Sequence, residues 1–457
     1  RQMWYPPFNT GAGYAMGIRA GAEMTTFEMR FIALRCKDTI APTGTLAQGV
    51  GAKQINSLGE VYETKYGLTT SERVYGTVNE NQEGRGPCYL RTEGISAEQD
   101  ESLLKAYLNM APSQTIKWIE SGRNPSRQNV EVEGTEPYIV GGHTASGYWV
   151  DTDRATTIEG LFAGGDVAGG CPQKYVTGAL AEGEIAGLSA VKYIDSKESF
   201  EKISNEDTNY HLIETEKYLT DRHSLYTTEQ LEEAMQTVMD SYAGGIKTNY
   251  RFNEKQLDIA DCKIRQLETL TDDLYAEDFQ ELMYICELKE RLTVCKSVIA
   301  HLRARKETRW HSFAENLDYP EKDDRNFNKY VNSRLENGEI KIIIRDLVRE
   351  VKSMSIVIDK SKCIGCKKCR NVCPGSLIKT DENGKAYIKY PKDCWGCTSC
   401  IKECPAYAIS FFLGSDIGGM GSKVHTEKNG DILSWLIEKP HGEVIKIDIN
   451  QKESNKY

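Results

Sequence analysis

Eight cysteines near the C-terminus constrain this chain more than any other feature of its 457 residues. They form two runs with one spacing, Cys-x-x-Cys-x-x-Cys-x-x-x-Cys-Pro, from Cys363 to Pro374 and from Cys394 to Pro405. Three thiolates, each separated from the next by two intervening residues, can surround one face of an iron–sulfur cube. The fourth cysteine of each run reaches the other cube. The spacing therefore predicts two [4Fe–4S] clusters that transfer electrons one at a time.

The ligands divide into two sets of four under this rule, which is typical of bacterial two-cluster ferredoxins. The first set is Cys363, Cys366, Cys369 and Cys404, and the second is Cys394, Cys397, Cys400 and Cys373. A zinc site or a disulfide framework is the alternative, and the two Cys-Pro endings disfavour it. The six remaining cysteines are scattered, so we expect them to be small buried apolar residues.

The charge and hydropathy of the chain exclude several classes of protein. A net charge of −10, from 57 Lys and Arg against 67 Asp and Glu, gives no support to a nucleic-acid-binding protein. The sequence contains no run of about 18 apolar residues, so no segment is long and apolar enough to span a membrane. No signal segment follows Arg1. We expect a cytoplasmic protein that has neither a membrane span nor a nucleic-acid partner.

Changes in composition divide the chain into three regions, with a fold class of α/β plus α+β. Residues 1-195 are rich in glycine, residues 196-352 are charged and helical in pattern, and residues 354-457 hold the cysteine runs. The last region carries 16 Lys and Arg and 12 Asp and Glu, a net charge of +4, which leaves −14 for the rest. Met354 suggests two subunits joined in one chain, and an ordinary linker methionine is the alternative.

A glycine-rich segment upstream indicates a second cofactor. Residues 157–170 read as a turn, a short buried strand and a loop that contains Gly164, Gly165 and Asp166. A helix that starts with small residues follows, and its first part holds Gly178, Ala179 and Leu180. Small residues let a backbone approach a ligand, and Asp166 could accept hydrogen bonds from ribityl hydroxyls. Beside one-electron carriers, this pattern favours a two-electron flavin.

Apolar residues at three- and four-residue steps predict a helix over residues 281–305. If the helix continued past this segment, Arg305 and Arg309 would lie on one face. A solvated or salt-bridged pair is the simplest interpretation of these two arginines.

Several blocks together resemble a known family. They are Trp4-Tyr5-Pro6, Gly13-Tyr14-Ala15-Met16, the segment from Arg30 to Asp38, the segment from Glu136 to His143, and Thr157 to Asp166. They resemble the alpha subunit of the adenylylsulfate reductase family, within the fumarate reductase and succinate dehydrogenase flavoprotein superfamily. The C-terminal region, with Trp395 after Cys394, resembles the beta subunit of the same family.

This resemblance implies a partial FAD-binding and capping region, a helical domain and a ferredoxin domain. It also implies reduction of adenosine 5′-phosphosulfate to sulfite and AMP through an FAD N5–sulfite adduct. Two [4Fe–4S] clusters would deliver the electrons from a donor protein or carrier, and the two parts would dock as alpha and beta subunits do. By position, Arg35 and His143 match the sulfate-binding residues, Trp4 the adenine clamp, and Trp395 the aromatic between cluster and flavin.

The chemistry of an anionic sulfuryl group independently asks for such side chains. Arginine is a permanent planar donor to oxyanions, and histidine can donate a hydrogen bond or a proton near neutral pH. Taken singly, Arg35 fits a salt-bridged residue, His143 a loop residue and Trp4 a packing residue. Only their joint pattern favours a site.

The chain also departs from the family pattern. No strand followed by Gly-x-Gly-x-x-Gly opens it, so we expect a dinucleotide-binding segment to be missing ahead of Arg1. Arg85 lies in a stretch that faintly resembles the proton-donor region of fumarate reductases. A ferredoxin-coupled fumarate- or enoate-type reductase therefore stays open, as does a non-catalytic iron–sulfur electron-transfer protein.

Overall fold

A computed structural model describes most of the chain as two compact units, Arg1–Leu347 and Val348–Tyr457. The described residues are 9–67, 70–139, 141–170, 176–199, 204–219, 224–309, 315–347, 356–394, 396–412, 421–440 and 442–452.

Helices dominate the first unit. They are α1 (Ala12–Arg19), α2 (Gly44–Gly49), α3 (Glu63–Tyr66), α4 (Thr70–Gln82), α5 (Ala97–Met110), α6 (Pro112–Ser121), α7 (Gly141–Thr144), α8 (Val176–Asp195), α9 (Asn205–Glu216), α10 (Thr228–Tyr242), α11 (Glu254–Leu270), α12 (Phe279–Ala304) and α13 (Asp324–Phe327). Three of the long helices begin with a capping box, in which the Ser, Thr or Asn cap and a Gln three residues later satisfy each other's backbone amides. These pairs are Ser96 with Gln99, Thr227 with Gln230, and Asn253 with Gln256.

Short strands join these helices. They are β1 (Met24–Thr25), β2 (Leu34–Cys36), β3 (Gln54–Ile55), β4 (Tyr89–Leu90), β5 (Val130–Gly134), β6 (Gly147–Tyr148), β7 (Arg251–Phe252), β8 (Glu315–Asn316), β9 (Lys329–Glu336) and β10 (Glu339–Asp346). One sheet has the order β10-β9-β1-β6 and another the order β2-β5-β4-β3, while β7 and β8 form a parallel pair. The first unit has two separate apolar cores. One lies around α10, α11 and α12, and the other lies around the β2-β5-β4-β3 sheet.

The predicted helix over 281–305 is confirmed as α12, whose apolar side chains include the fully buried Ile285, Leu292 and Ile299. The helix ends at Ala304, because Arg305 adopts an extended conformation. The expected helical face shared by Arg305 and Arg309 is therefore wrong. Both guanidinium groups instead bind Glu307, which lies between them in the sequence.

Arg305 belongs to a buried group of charges at the end of α12. Its Nε donates to Glu28 Oε1 at 2.7 Å, and its Nη1 donates to Glu307 Oε1 at 2.9 Å. His301 Nδ1 lies 3.0 Å from the other oxygen of Glu28. Burial alone would raise the pKa of Glu28, but Arg305 and His301 outweigh it and hold that pKa below its usual value. The group ties the segment after β1 to the end of α12.

The second unit contains an internal repeat. Its elements are β11 (Ile356–Ile358), α14 (Lys368–Val372), β12 (Ile378–Thr380), β13 (Ala386–Ile388), α15 (Ser399–Lys402), β14 (Ile409–Phe412), β15 (Lys423–Asn429), β16 (Ile432–Glu438) and β17 (Val444–Asn450). Each cysteine run contains one short helix, α14 or α15, and is followed by one strand, β12 or β14. The sheet order β11-β14-β15-β16-β17 then adds an antiparallel tail to the second half.

No helix within the described ranges is long and apolar enough to cross a bilayer.

Replacing Arg305 by methionine should destabilise the first unit strongly, since it leaves the buried Glu28 without its arginine and takes one of two arginines from the buried Glu307. We expect a loss of about 3–5 kcal/mol in the free energy of unfolding, measured by urea denaturation. Arg265→Met is the matched control, because Arg265 pairs with Glu339 in a largely exposed position. Its loss should stay below about 1 kcal/mol. Equal losses in the two variants would contradict the importance of the buried group.

Candidate functional site

The eight cysteines of the doubled motif line two cavities of the second unit, four in each. One cavity contains Cys363, Cys366, Cys369 and Cys404. The other contains Cys373, Cys394, Cys397 and Cys400. In each cavity the fourth side chain comes from the opposite run. The role of these cysteines as cluster ligands stays a prediction, and the sulfur-only donor set fits an iron–sulfur cube.

Matching turns of the backbone place the sulfurs. Three positions in each run have left-handed backbone angles, and the equivalent pairs are Gly365 and Gly396, Lys367 and Thr398, and Ser376 and Tyr407. Backbone amides also point at the sulfur of the fourth cysteine in each run. The Leu377 amide donates to Cys373 Sγ at 3.4 Å, and the Ala408 amide donates to Cys404 Sγ at 3.2 Å. Such donors stabilise thiolates, which is the form that binds iron.

The thiols differ in how easily they lose a proton. Hydrogen bonds from the Ser399 backbone and side chain hold the pKa of Cys397 below its usual value. Burial raises the pKa of Cys400 to about 12. If Cys400 is a cluster ligand as predicted, we expect its deprotonation to be coupled to cluster binding. None of the described cysteines forms a disulfide, and the described residues hold no group of three or more His, Cys, Asp or Glu placed for a single metal ion.

The predicted flavin loop lies against the helix that follows it. Gly165 to Val167 form a single 3-10 turn, and a side chain on Gly164 would meet the backbone of Glu182 at 3.1 Å. The carboxylate of Glu182, which is buried in α8, accepts a hydrogen bond from the Gly165 amide at 2.9 Å. Gly165 has a φ of +71°, which favours glycine. The loop is therefore held by one buried carboxylate.

The side chain of Asp166 is exposed, while its backbone oxygen accepts a hydrogen bond from Tyr14 Oη at 2.7 Å. A fixed backbone with an accessible carboxylate fits contact with ribityl hydroxyls. Gly178, Ala179 and Leu180 lie in the first turns of α8, where Ala179 Cβ would touch a side chain on Gly165 at 3.4 Å. The glycine loop and the small-residue start of the helix are thus packed together. This arrangement would let the backbone of both segments come close to a bound dinucleotide.

Arg35 lies in β2 and is already neutralised by two carboxylates. Its Nε donates to Glu133 Oε1 at 3.1 Å, and its Nη1 donates to Glu136 Oε2 at 3.0 Å. The Arg35 side chain is only 7% exposed, whereas that of Glu136 is 47% exposed. An anionic substrate group could reach the guanidinium only where Glu136 moves aside.

His143 lies in α7 and stacks on Phe31, with ring centroids 4.2 Å apart. The backbone of Phe31 pairs in both directions with that of Tyr138. Burial lowers the pKa of His143, and the charge of Asp166 opposes this only in part. The imidazole is therefore mainly neutral near pH 7. One pair of antiparallel segments, 31–36 and 132–138, holds Arg35 directly and supports His143 through Phe31.

Trp4 and Trp395, which were predicted to contact adenine and to lie between cluster and flavin, are outside the described residues. Their roles stay predictions.

Arg85, the proton donor of the rival fumarate-type interpretation, is held in an ion-pair cluster. Its guanidinium donates to both oxygens of Glu80 and also binds Glu83. The hydrogen bond with Glu80 is the largest contribution that raises the pKa of Arg85. A guanidinium held this way is a poor proton donor.

Sequence reasoning missed the side chains that position these groups. Phe31 and Glu136 lie inside the blocks that carry the family resemblance and Glu182 lies two residues after Leu180, but nothing in their spacing marks them as positioning residues. The only signal available for Glu182 was that an acid stands among the small residues of α8, since an acid inside a helix is usually exposed.

Two family models match parts of this chain. Residues 232–360 match the fumarate reductase flavoprotein C-terminal family, and residues 362–408 match the 4Fe-4S dicluster domain family. Over 395 residues, 73% of this chain and 59% of the relative, it is 28% identical to adenylylsulfate reductase subunit alpha of Megalodesulfovibrio gigas. Over 97 residues, 20% of this chain and 58% of the relative, it is 36% identical to subunit beta of that organism.

A solved adenylylsulfate reductase from Archaeoglobus fulgidus has the same fold, with a TM-score of 0.71 and 30% identity. The match covers 77% of this chain and 64% of that chain. This chain thus spans about three fifths of the length of these relatives. The matches confirm a flavoprotein fold with a C-terminal ferredoxin domain, and they imply FAD and two [4Fe–4S] clusters as cofactors.

Glu182→Ala should weaken the retention of flavin, because the Gly165 amide loses its acceptor and the loop loses its anchor. The cost of about 1–3 kcal/mol corresponds to roughly tenfold or more in affinity. The measurement is the flavin released on gel filtration of the holoprotein. Glu184→Ala, an exposed acid on the same helix, is the control and should retain flavin normally. Normal retention in Glu182→Ala would refute the anchoring role.

Proposed function

We propose that this chain, an adenylylsulfate reductase-type flavoprotein with a C-terminal 4Fe-4S dicluster domain, reduces adenosine 5′-phosphosulfate to sulfite and AMP. The observation that carries the proposal is the pair of segments 31–36 and 132–138, which supports a guanidinium and an imidazole. Both side chains stand where the resemblance predicts the sulfate-binding residues. The acid–base chemistry of the site suits a sulfuryl anion.

The proposed reaction balances with two electrons. Sulfur passes from the +6 to the +4 oxidation state, and the bond between sulfur and the bridging oxygen breaks. That oxygen leaves with AMP, and the sulfuryl group becomes sulfite. Negative charge collects on the departing phosphate oxygens and on sulfite, so donors fixed beside them stabilise the transition state.

Arg35 is proposed to bind the sulfuryl oxygens. Its planar guanidinium presents two parallel N–H donors, which Glu136 occupies in the structure. The substrate would take over these donors while Glu136 turns towards solvent. Glu133 would keep the Nε of Arg35 in place.

His143 is proposed to act as a neutral hydrogen-bond donor beside the same anion. Burial lowers its pKa, so it adds no permanent positive charge near pH 7. Phe31 fixes the plane of the ring. The directed N–H would orient the sulfuryl group rather than attract it over a distance.

The cofactors have separate proposed holders in the chain. Gly164, Gly165 and Asp166, with Gly178, Ala179 and Leu180 on α8, would hold FAD, and the eight cysteines would hold the clusters. When bound, FAD supplies a two-electron reductant and the clusters supply single electrons. Trp4 and Trp395 would serve adenine binding and electron transfer.

The regions 1-195, 196-352 and 354-457 would be the flavin, helical and ferredoxin parts, associated as alpha and beta subunits are, with an external electron donor.

Parallel assays of the holoprotein with adenylylsulfate and with fumarate test this function. We expect adenylylsulfate-dependent formation of sulfite and AMP in equal amounts, with a reduced viologen as donor. Turnover of fumarate alone would establish the rival reductase. Absence of both activities in a protein with full flavin and iron content would favour an electron-transfer protein.

His143→Ala should lower kcat for adenylylsulfate by about 10²–10⁴-fold, since a positioned hydrogen-bond donor is lost. Flavin content should stay normal, because His143 lies outside the proposed flavin loop. His211→Ala, on the exposed surface of α9, is the control. Unchanged turnover would remove His143 from the site.

Glu136→Gln should lower KM for adenylylsulfate severalfold, because an amide competes less well than a carboxylate for Arg35. Removing one negative charge beside an anionic substrate acts in the same direction. Steady-state kinetics at low ionic strength measure the change. Glu131→Gln, an acid of β5 that pairs with Lys37, is the control for general charge effects. A raised KM would show that Glu136 itself helps to bind substrate.

A further inference from the structure

The two halves of the dicluster domain share a backbone but differ sharply in charge. Residues 360–373, around the first run, contain five Lys and Arg and no acid. The equivalent residues 391–404 contain two lysines, one aspartate and one glutamate, for a net charge of zero. The difference of five charges lies within one repeated fold.

The fold itself does not require these cations. Lys367 and Thr398 occupy equivalent positions with φ angles of 62° and 60°. Lys368 and Ser399 begin the equivalent helices α14 and α15. Because uncharged residues build the same turn and begin the same helix in the second half, neither the turn nor the helix requires the charges of Lys367 and Lys368.

The cations of the first half are open to solvent. Lys362, Lys367, Lys368 and Arg370 are all exposed. Within the described part of the chain, no ion pair joins Lys367, Lys368 or Arg370 to a carboxylate, whereas Lys360 pairs with Asp381 at 2.7 Å. Unneutralised exposed cations create a positive potential that attracts an acidic surface.

The same surface gives access to the first cavity. Cys366, one of its four cysteines, is exposed. Ile364, between Cys363 and Cys366, is 68% exposed, which is unusual for a large apolar side chain. An apolar centre within a ring of charges is the common form of a transient protein interface.

We propose that this cationic face, residues 360–373, docks an acidic one-electron carrier protein and receives its electron at the cluster of Cys363, Cys366, Cys369 and Cys404. One electron leaves the carrier and one enters the cluster, and no bond forms or breaks. The proposal depends on the clusters and not on the identity of the substrate. Its failure is therefore distinguishable from failure of adenylylsulfate reduction.

Two other uses of the charge are outcomes of the test. The cations could bind residues 1–353 of this same chain, which carry a net charge of −14. They could also stabilise the negative charge of the reduced cluster and so raise its potential.

The test compares two double variants that remove the same charge. Lys367→Gln/Lys368→Gln alters the cationic face. Lys423→Gln/Lys428→Gln alters two exposed lysines of β15 and is the matched control. Both variants should retain full iron content, which is measured first. The donor is a reduced acidic flavodoxin, and stopped-flow absorption follows reduction of the clusters in the absence of adenylylsulfate.

We expect the second-order rate constant of the unaltered protein to fall at least about tenfold between about 0.01 and 0.5 M ionic strength. At low ionic strength, Lys367→Gln/Lys368→Gln should be about 5–10-fold slower and should depend less on salt. The β15 control should keep the original rate within about twofold. Reduction by methyl viologen radical cation, a small positive donor, should not slow in either variant.

Equal rates for the two variants would overturn the proposal. So would a slower rate with both donors accompanied by a lower cluster potential, since that result assigns the lysines to tuning. Carbodiimide cross-linking provides an independent readout, with flavodoxin carboxylates expected to couple to Lys362, Lys367 or Lys368. Cross-links from these lysines to residues 9–347 of the same chain, with no flavodoxin product, would show that the face is an internal docking surface.

Discussion

The convergence of four cysteine side chains on each of two cavities is the constraint on which the second unit depends. A cysteine run can wrap a cube only where its backbone turns sharply, and the left-handed positions at Lys367 and Thr398 provide that turn. Since each run sends its last cysteine across, neither half is complete without the other. The exchange of Cys373 and Cys404 explains why the helices, strands and amide-to-sulfur hydrogen bonds recur in equivalent places.

In the first unit, paired carboxylates, two of them buried, position segments that are distant in the sequence. Glu182 holds the glycine loop, Glu28 holds the end of α12 through Arg305, and Glu133 with Glu136 holds Arg35. A buried acid is costly unless it is paired, so each carboxylate selects one arrangement of its partners. The proposed substrate would displace Glu136 from Arg35. This pair is the weakest of the set, because Glu136 alone among the four carboxylates is half exposed.

The sequence predicts well where a strict spacing rule applies and poorly where the contacts are long-range. The cysteine spacing led to two sets of four, and the three- and four-residue apolar steps of α12 placed that helix within two residues of its observed start. The partner of Arg305 and Arg309 was not predictable, because Glu307 binds both guanidinium groups only where the chain has left the helix after Ala304. The partners of Arg35 and the stacking of Phe31 on His143 also depend on segments about a hundred residues apart.

We propose that electrons stored in this protein leave through adenylylsulfate. The direct measurement is to reduce the holoprotein anaerobically, remove the reductant, and add adenylylsulfate while the visible absorption of flavin and clusters is recorded. We expect flavin and clusters to reoxidise without added reductant, with one AMP and one sulfite released for every two electrons lost. Flavin and clusters that stay reduced in the presence of adenylylsulfate, yet reoxidise with fumarate, would contradict it.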